Sequence, residues 1–168
     1  IAFRDLFARV SGEILLIFTL IFCFNNEEWL AGIIVIYALS IWHSFLGYAG
    51  LGHEFLHGRV FSNSIVNKIL FNICSFLTWN NPSFFRKSHL YHHSYTFDEN
   101  DFESFGPSNW SFLCIFYYLI FDIPLFFRRI FYVLINSLGY KFENKLFTPI
   151  NNDQKYSAIS LLFFQIIL

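Results

Sequence analysis

Five of the six histidines fall within residues 53–93, in two short runs: HEFLH at 53–57 and HLYHH at 89–93. His53 and His57 stand four apart, and His89, His92 and His93 stand at i, i+3 and i+4. On helices each group shares one face, with neighbours about 6 Å apart. Neutral imidazoles at such spacings can grip a metal from a single helix. Five nitrogens are too many for one tetrahedral zinc but suit a site with two metals, and imidazole-rich donors suit iron, zinc or copper. HEFLH also reads as HExxH, in which two histidines bind zinc and the glutamate activates water, with Glu54 as the base. That zinc-protease reading leaves HLYHH unexplained and ranks second. Glu54 otherwise serves as an acceptor that orients an imidazole. A non-catalytic metal-binding or transport protein is a third reading. A lone histidine near a membrane end is ordinarily interfacial, but polar groups there are costly, and five at two ligand spacings call for a functional explanation. His43 lies ten residues before His53, about 15 Å away along a helix, and is assigned a packing role.

The elements that must position these histidines belong to an unusually apolar chain. Apolar residues make up 55% of the 168, twenty-five are Phe, and only 14% are charged. A soluble domain of that size would lack the polar side chains to cover itself, so the composition points to an integral membrane protein. A formal net charge of −1 and the lack of a basic tail give no reason to expect a nucleic-acid partner. Cys23, Cys74 and Cys114 sit among apolar residues without a CxxC pair, and buried free thiols are expected.

Residues 1–12, with Arg4 and Arg9 among apolar neighbours, read as an amphipathic segment at a membrane surface. Residues 13–24 and 29–51 then form a helical hairpin around the polar turn Asn25-Asn26-Glu27-Glu28. The second arm, 23 residues, would reach about 34 Å, enough to span. Arg4, Arg9, Arg59 and Lys68 flank the hairpin on one side, which the positive-inside rule places in the cytoplasm, together with His53. Residues 62–79 have apolar positions at helical spacing and read as an interfacial amphipathic helix capped by Ser62 or Ser64. Asn81-Pro82 reads as an N-cap and first position of a helix carrying the second histidine run. Residues 94–109, with Asp98, Glu99, Asp101 and Glu103, read as a solvated acidic loop ending at Gly106-Pro107. Residues 110–138, interrupted by Pro124 and Arg128-Arg129, read as two interfacial or re-entrant helices. Residues 139–155 are polar, and a further membrane helix is expected to start near Tyr156. The chain opens on Ile1 and stops in an apolar run, and is read as a fragment. The fold class is therefore all-α integral membrane: a transmembrane helical hairpin, histidine-bearing cytoplasmic helices, interfacial amphipathic helices and the start of a further transmembrane helix.

An HxxxH box at the cytoplasmic end of a helical hairpin, followed some thirty residues later by HxxHH, resembles the membrane fatty acid desaturases and their hydroxylase relatives. The wording GHEFLHGRVF at 52–61 and SFLTWNNPSFFRKSHLYHHSYTF at 75–97 strengthens the resemblance, which runs from about Trp29 to Glu103 and more loosely to the end. It implies a single, incomplete desaturase-like domain over 1–168, its third box (HxxHH or QxxHH) expected beyond Leu168. It implies two iron ions held by His53, His57, His89, His92 and His93, with dioxygen as co-substrate and a fatty acyl chain in the bilayer as substrate. Removal of two hydrogens gives a double bond, and insertion of oxygen gives an alcohol, so hydroxylation of an alkane, carotenoid or lipid is the alternative on the same scaffold. No nucleotide-binding loop is present, so an external electron donor of ferredoxin or cytochrome b5 type is implied. Arg59, Arg86 and Lys87 could receive an acidic donor or a substrate head group, or simply anchor near lipid phosphates. Trp79 and Asn81 either line the approach to the metals or serve packing and capping. A fragment lacking the third box is expected to be inactive alone.

Overall fold

The computed structural model describes residues 2–47, 50–96, 101, 123–143 and 146–167. Its elements are α1 (Ala2–Asn25), α2 (Trp29–Ser44), α3 (Leu51–Leu56), α4 (Ser64–Leu77), α5 (Pro82–Ser94), α6 (Ile123–Ser137), β1 (Tyr140–Glu143), β2 (Leu146–Pro149) and α7 (Asn152–Ile167). They fall into two compact units, Ile1–Thr78 and Trp79–Leu168. The chain is mostly helical, as expected, with one short β-hairpin among the described residues.

In the first unit the expected helical hairpin is present, but its arms differ from expectation. The amphipathic segment and the first apolar run are one continuous helix, α1. Its Arg4–Asn25 portion is long and apolar enough to cross a membrane. The turn closes as a Schellman motif: Glu28 N–H donates to Cys23 O at 2.9 Å and Glu27 N–H to Phe24 O at 3.2 Å, with Glu27 in the left-handed region at φ 61°. The second arm, α2, ends at Ser44 after 16 residues, about 24 Å of helix. It does not run on to Leu51. The break lies where the chain folds back on itself: a Cβ on Gly50 would collide with the Phe45 carbonyl oxygen, and one on Gly52 would stand 2.8 Å from Leu46 O. His53 therefore sits on a separate short helix, α3.

The hairpin is inside-out relative to a soluble pair. Leu15, Phe18, Phe22, Leu30 and Ile33 are exposed, while Cys23 and Gly32 are buried between the arms. At the other end Trp42 Nε1 donates to Arg9 O at 2.8 Å.

Helix α4 packs on α3, with Leu51, Phe55, Phe71 and Cys74 buried. Its cap is Asn63 rather than either neighbouring serine: the amide oxygen accepts from Ile65 N at 2.9 Å and Val66 N at 3.4 Å. Asn67, which falls between the apolar positions of this helix, is only 3% exposed. It accepts from Phe61 N (3.0 Å) and donates to Phe61 O (2.6 Å) and Gly58 O (3.2 Å), so it serves the backbone polar groups of the loop that follows α3. Gly58 takes the left-handed conformation (φ 66°) that lets this loop leave the helix.

In the second unit Asn81 and Pro82 start α5 as expected. Asn81 Oδ1 accepts from Ser83 N (3.1 Å) and Phe84 N (3.3 Å). Its Nδ2 donates to Asn136 Oδ1 on α6 (3.1 Å) and to Gln154 O on α7 (2.9 Å). Of the two interfacial helices expected in 110–138, the described residues contain α6. Part of the polar connection that follows is the antiparallel hairpin β1–β2, with Tyr140 opposite Pro149 and Glu143 opposite Leu146. Helix α7 starts at Asn152, earlier than expected, because Asn151 Oδ1 accepts from Gln154 N at 3.0 Å. Expectations for Asp98, Glu99, Glu103, Gly106-Pro107 and Cys114 lie outside the described residues.

Gly50→Ala should cost about 3 kcal/mol or more, because the methyl meets backbone that cannot step aside. Gly32→Ala, whose Cβ would have its nearest neighbour at 3.5 Å, should change stability by no more than about 1 kcal/mol. Thermal unfolding in detergent checks both, and equal losses would refute the assigned break. Asn81→Ala should cost about 2–4 kcal/mol, combining a lost cap with buried partners left unpaired. Asn81→Asp keeps the cap but sets a carboxylate against two acceptor oxygens. It should lose a comparable amount, and wild-type stability in that variant would show that the bonds to α6 and α7 contribute nothing.

Candidate metal centre

The first histidine pair is built by a helix of one and a half turns. Leu51, Phe55 and Leu56 are buried on α3, and the turn presents His53 and His57 together, each half-buried. His57 closes the helix, its N–H donating to His53 O at 3.2 Å. The two rings meet edge to face with centroids 4.7 Å apart, and a nitrogen of each lies within 4.8 Å of one on the other. His53 Nδ1 contacts Glu54 Oε1 at 2.9 Å. A carboxylate only accepts, so in this contact Nδ1 carries the proton. The Glu54 side chain is 50% exposed, and water screens this pair.

The second group is set by where α5 begins. The cap at Asn81 places Phe85, fully buried, one turn before His89, itself only 4% exposed. Phe85 meets the His89 ring edge-on with centroids 6.0 Å apart. His93 follows one turn later, and its Nε2 lies 2.9 Å from His89 Nε2. Without a metal, one of these nitrogens donates and the other accepts. With metal–nitrogen bonds of about 2.1 Å, two ligands at right angles would stand about 3 Å apart. The pair is thus already at the spacing of adjacent metal ligands, and the donor set fits iron, zinc or copper.

The three histidines of α5 differ in their contacts. The His92 ring is about 6 Å from both others by centroid, and its Nδ1 contacts Asp101 Oδ2 at 2.9 Å. Asp101, expected in a solvated loop, is buried, with its side chain fully shielded from solvent. Sequence reasoning missed it because the acids around it have the same composition. The only signal was a carboxylate eight residues beyond the box.

Arg59, Arg86 and Lys87 are exposed. Trp79 is half-buried at φ 56°, in the turn leading to the Asn81 cap. Asn81 has its amide oxygen and nitrogen both engaged, in the cap and in bonds to α6 and α7. His43 is tied on both nitrogens: Nδ1 to the Glu13 carboxylate of α1, and Nε2 to Leu77 O at the end of α4, 3.0 Å away. It joins three helices of the first unit. Burial, reinforced by the Glu13 carboxylate, pushes the Cys74 thiol up to about 11. Cys74 is therefore a protonated thiol at neutral pH, not a ligand thiolate.

A family model described as "Fatty acid desaturase" matches residues 27–168. No curated protein and no solved structure matches the chain.

His43 and His93 should separate on substitution. His43→Ala leaves the Glu13 carboxylate without its imidazole and should lower stability by about 1–3 kcal/mol with metal content unchanged. His93→Ala should remove bound metal with little change in the melting temperature of the metal-free protein. Metal analysis beside thermal melts of both variants checks this, and metal loss in the His43 variant would contradict the assignment.

Proposed function

From the premise that this chain belongs to the fatty acid desaturase family, we propose that it is a membrane-bound oxidoreductase that desaturates a fatty acyl chain at a two-iron centre. The family match over residues 27–168 carries this reading. The imidazole pair of α5, at the spacing of adjacent ligands, supports it.

His53, His57, His89, His92 and His93 would hold the metal. When bound, two irons supply the activation of dioxygen needed to break unactivated C–H bonds. The balance is one acyl CH2–CH2 unit, O2, two electrons and two protons giving CH=CH and two waters. The two electrons would come from a one-electron carrier protein of ferredoxin or cytochrome b5 type. Glu54 accepts a hydrogen bond from Nδ1–H of His53 and would orient that ring toward the metal. Arg59, Arg86 and Lys87 are exposed cations next to the boxes and would meet an acidic donor surface or a lipid head group. With α1 and α2 as a spanning hairpin, the positive-inside rule applied to Arg4, Arg9, Arg59 and Lys68 favours a cytoplasmic position for its basic end and for His53.

Membranes containing the complete protein, with the third histidine box that the resemblance implies, given iron, reduced donor and dioxygen, should yield acyl chains two hydrogens lighter, with dioxygen consumed. His57→Ala and His93→Ala should each lower turnover at least about 100-fold. Products carrying an added oxygen would move the reading to hydroxylation. One zinc per chain, with peptide cleavage lost in Glu54→Gln while metal is retained, would replace it with proteolysis.

A further inference from the structure

Among the described residues three imidazoles face a carboxylate, His43, His53 and His92, and they differ in their surroundings. His43 has both nitrogens tied, to Glu13 and to Leu77 O, so none remains for a ligand. His53 faces Glu54, whose side chain is half exposed, so the contact exchanges readily with water. His92 faces Asp101, whose side chain is wholly buried. Among the described residues, Nε2 of His92 has no hydrogen-bond partner. A carboxylate taken out of water is held in place by the donors it finds, and the Nδ1–H of His92, at 2.9 Å, is one of them.

We propose that Asp101 is the positioning residue of His92: its buried carboxylate holds the ring with Nδ1 protonated and presents Nε2 as a metal-binding nitrogen. The proposal rests on the metal-site reading above and adds to it a residue outside both histidine boxes. Asp101 does not touch substrate or the reacting atoms. It acts by removing the wrong tautomer and the wrong ring orientation before metal arrives, and by making the imidazole a stronger donor. The last residue of α5 is Ser94, so Asp101 reaches back to the helix from the segment that follows it. The chain after the second box thereby helps determine whether that box is competent.

The test uses the whole protein in detergent and two readouts besides turnover. The first is the apparent affinity for Co(II), measured by competition with a chelator. The second is the 15N spectrum of the metal-free protein, in which His92 should show a protonated Nδ1 and an unprotonated Nε2. Asp101→Ala should weaken Co(II) binding 10–100-fold and shift His92 toward a mixture of tautomers. Asp101→Asn keeps the shape and one acceptor oxygen, and should lie between that variant and wild type. It also serves if the alanine variant fails to fold. A purely structural role would lower the melting temperature and leave both readouts at wild-type values in the folded asparagine variant, which would overturn the proposal. If His92→Ala itself binds Co(II) like wild type, His92 is not a ligand and the metal-site reading falls along with it. If His92→Ala loses metal but Asp101→Asn and Asp101→Ala do not, only the role of Asp101 is refuted.

Discussion

Four hydrogen bonds converge on the side chain of Asn81, and the geometry of the second unit depends on them. Two go to the first free N–H groups of α5, which have no partners inside the helix. Two go outward, to Asn136 on α6 and to the backbone of Gln154 on α7. One buried residue thus sets where α5 starts and which helices it is tied to. The register of His89, His92 and His93 follows from that start. A helix beginning one residue later would turn these rings by about 100°, and the 2.9 Å approach of His89 to His93 would point elsewhere. Asparagine is suited to the position because its amide accepts on one side and donates on the other. An aspartate could only accept, and a serine could not span both duties.

The first unit solves a different problem. Its hairpin exposes the residues a soluble protein would bury and buries small or polar ones: Cys23, Gly32 and the contact of Glu13 with His43. In water such a surface would drive association. Against hydrocarbon, which offers Leu and Phe as good an environment as a protein core does, helices gain from close approach at small residues and from polar contacts between them. The same logic explains why His43 has both nitrogens satisfied. A polar ring between apolar helices is tolerable only when its nitrogens find partners, and the Glu13 carboxylate and the Leu77 carbonyl at the end of α4 supply them.

How much of this was legible follows from the range of each interaction. The two histidine runs, the Asn81-Pro82 start and the helical period of 62–79 depend on neighbours within a turn, and these local signals located the boxes and the helices that carry them. The end of α2 at Ser44 was not legible, because an apolar run continues through it and the break is made by backbone meeting backbone at Gly50 and Phe45. Asn67 looked like a surface residue by period. It turns inward because the loop at 58–61 leaves backbone groups that need a partner, a demand visible only once the loop is folded. The short β-hairpin at 140–149 was hidden in a polar stretch for the same reason.

The divergence of the three α5 histidines carries this furthest. Spacing alone treats i, i+3 and i+4 as one face. A ring nitrogen, however, is aimed by what holds the other nitrogen as much as by where its Cα stands. His89 and His93 aim at each other, while His92 is turned by a carboxylate from beyond the helix. A histidine motif therefore specifies donors but not their directions. The directions come from acids and carbonyls that the motif does not contain, and in this chain those are Glu54, Asp101 and, for the histidine that stays out of the site, Glu13.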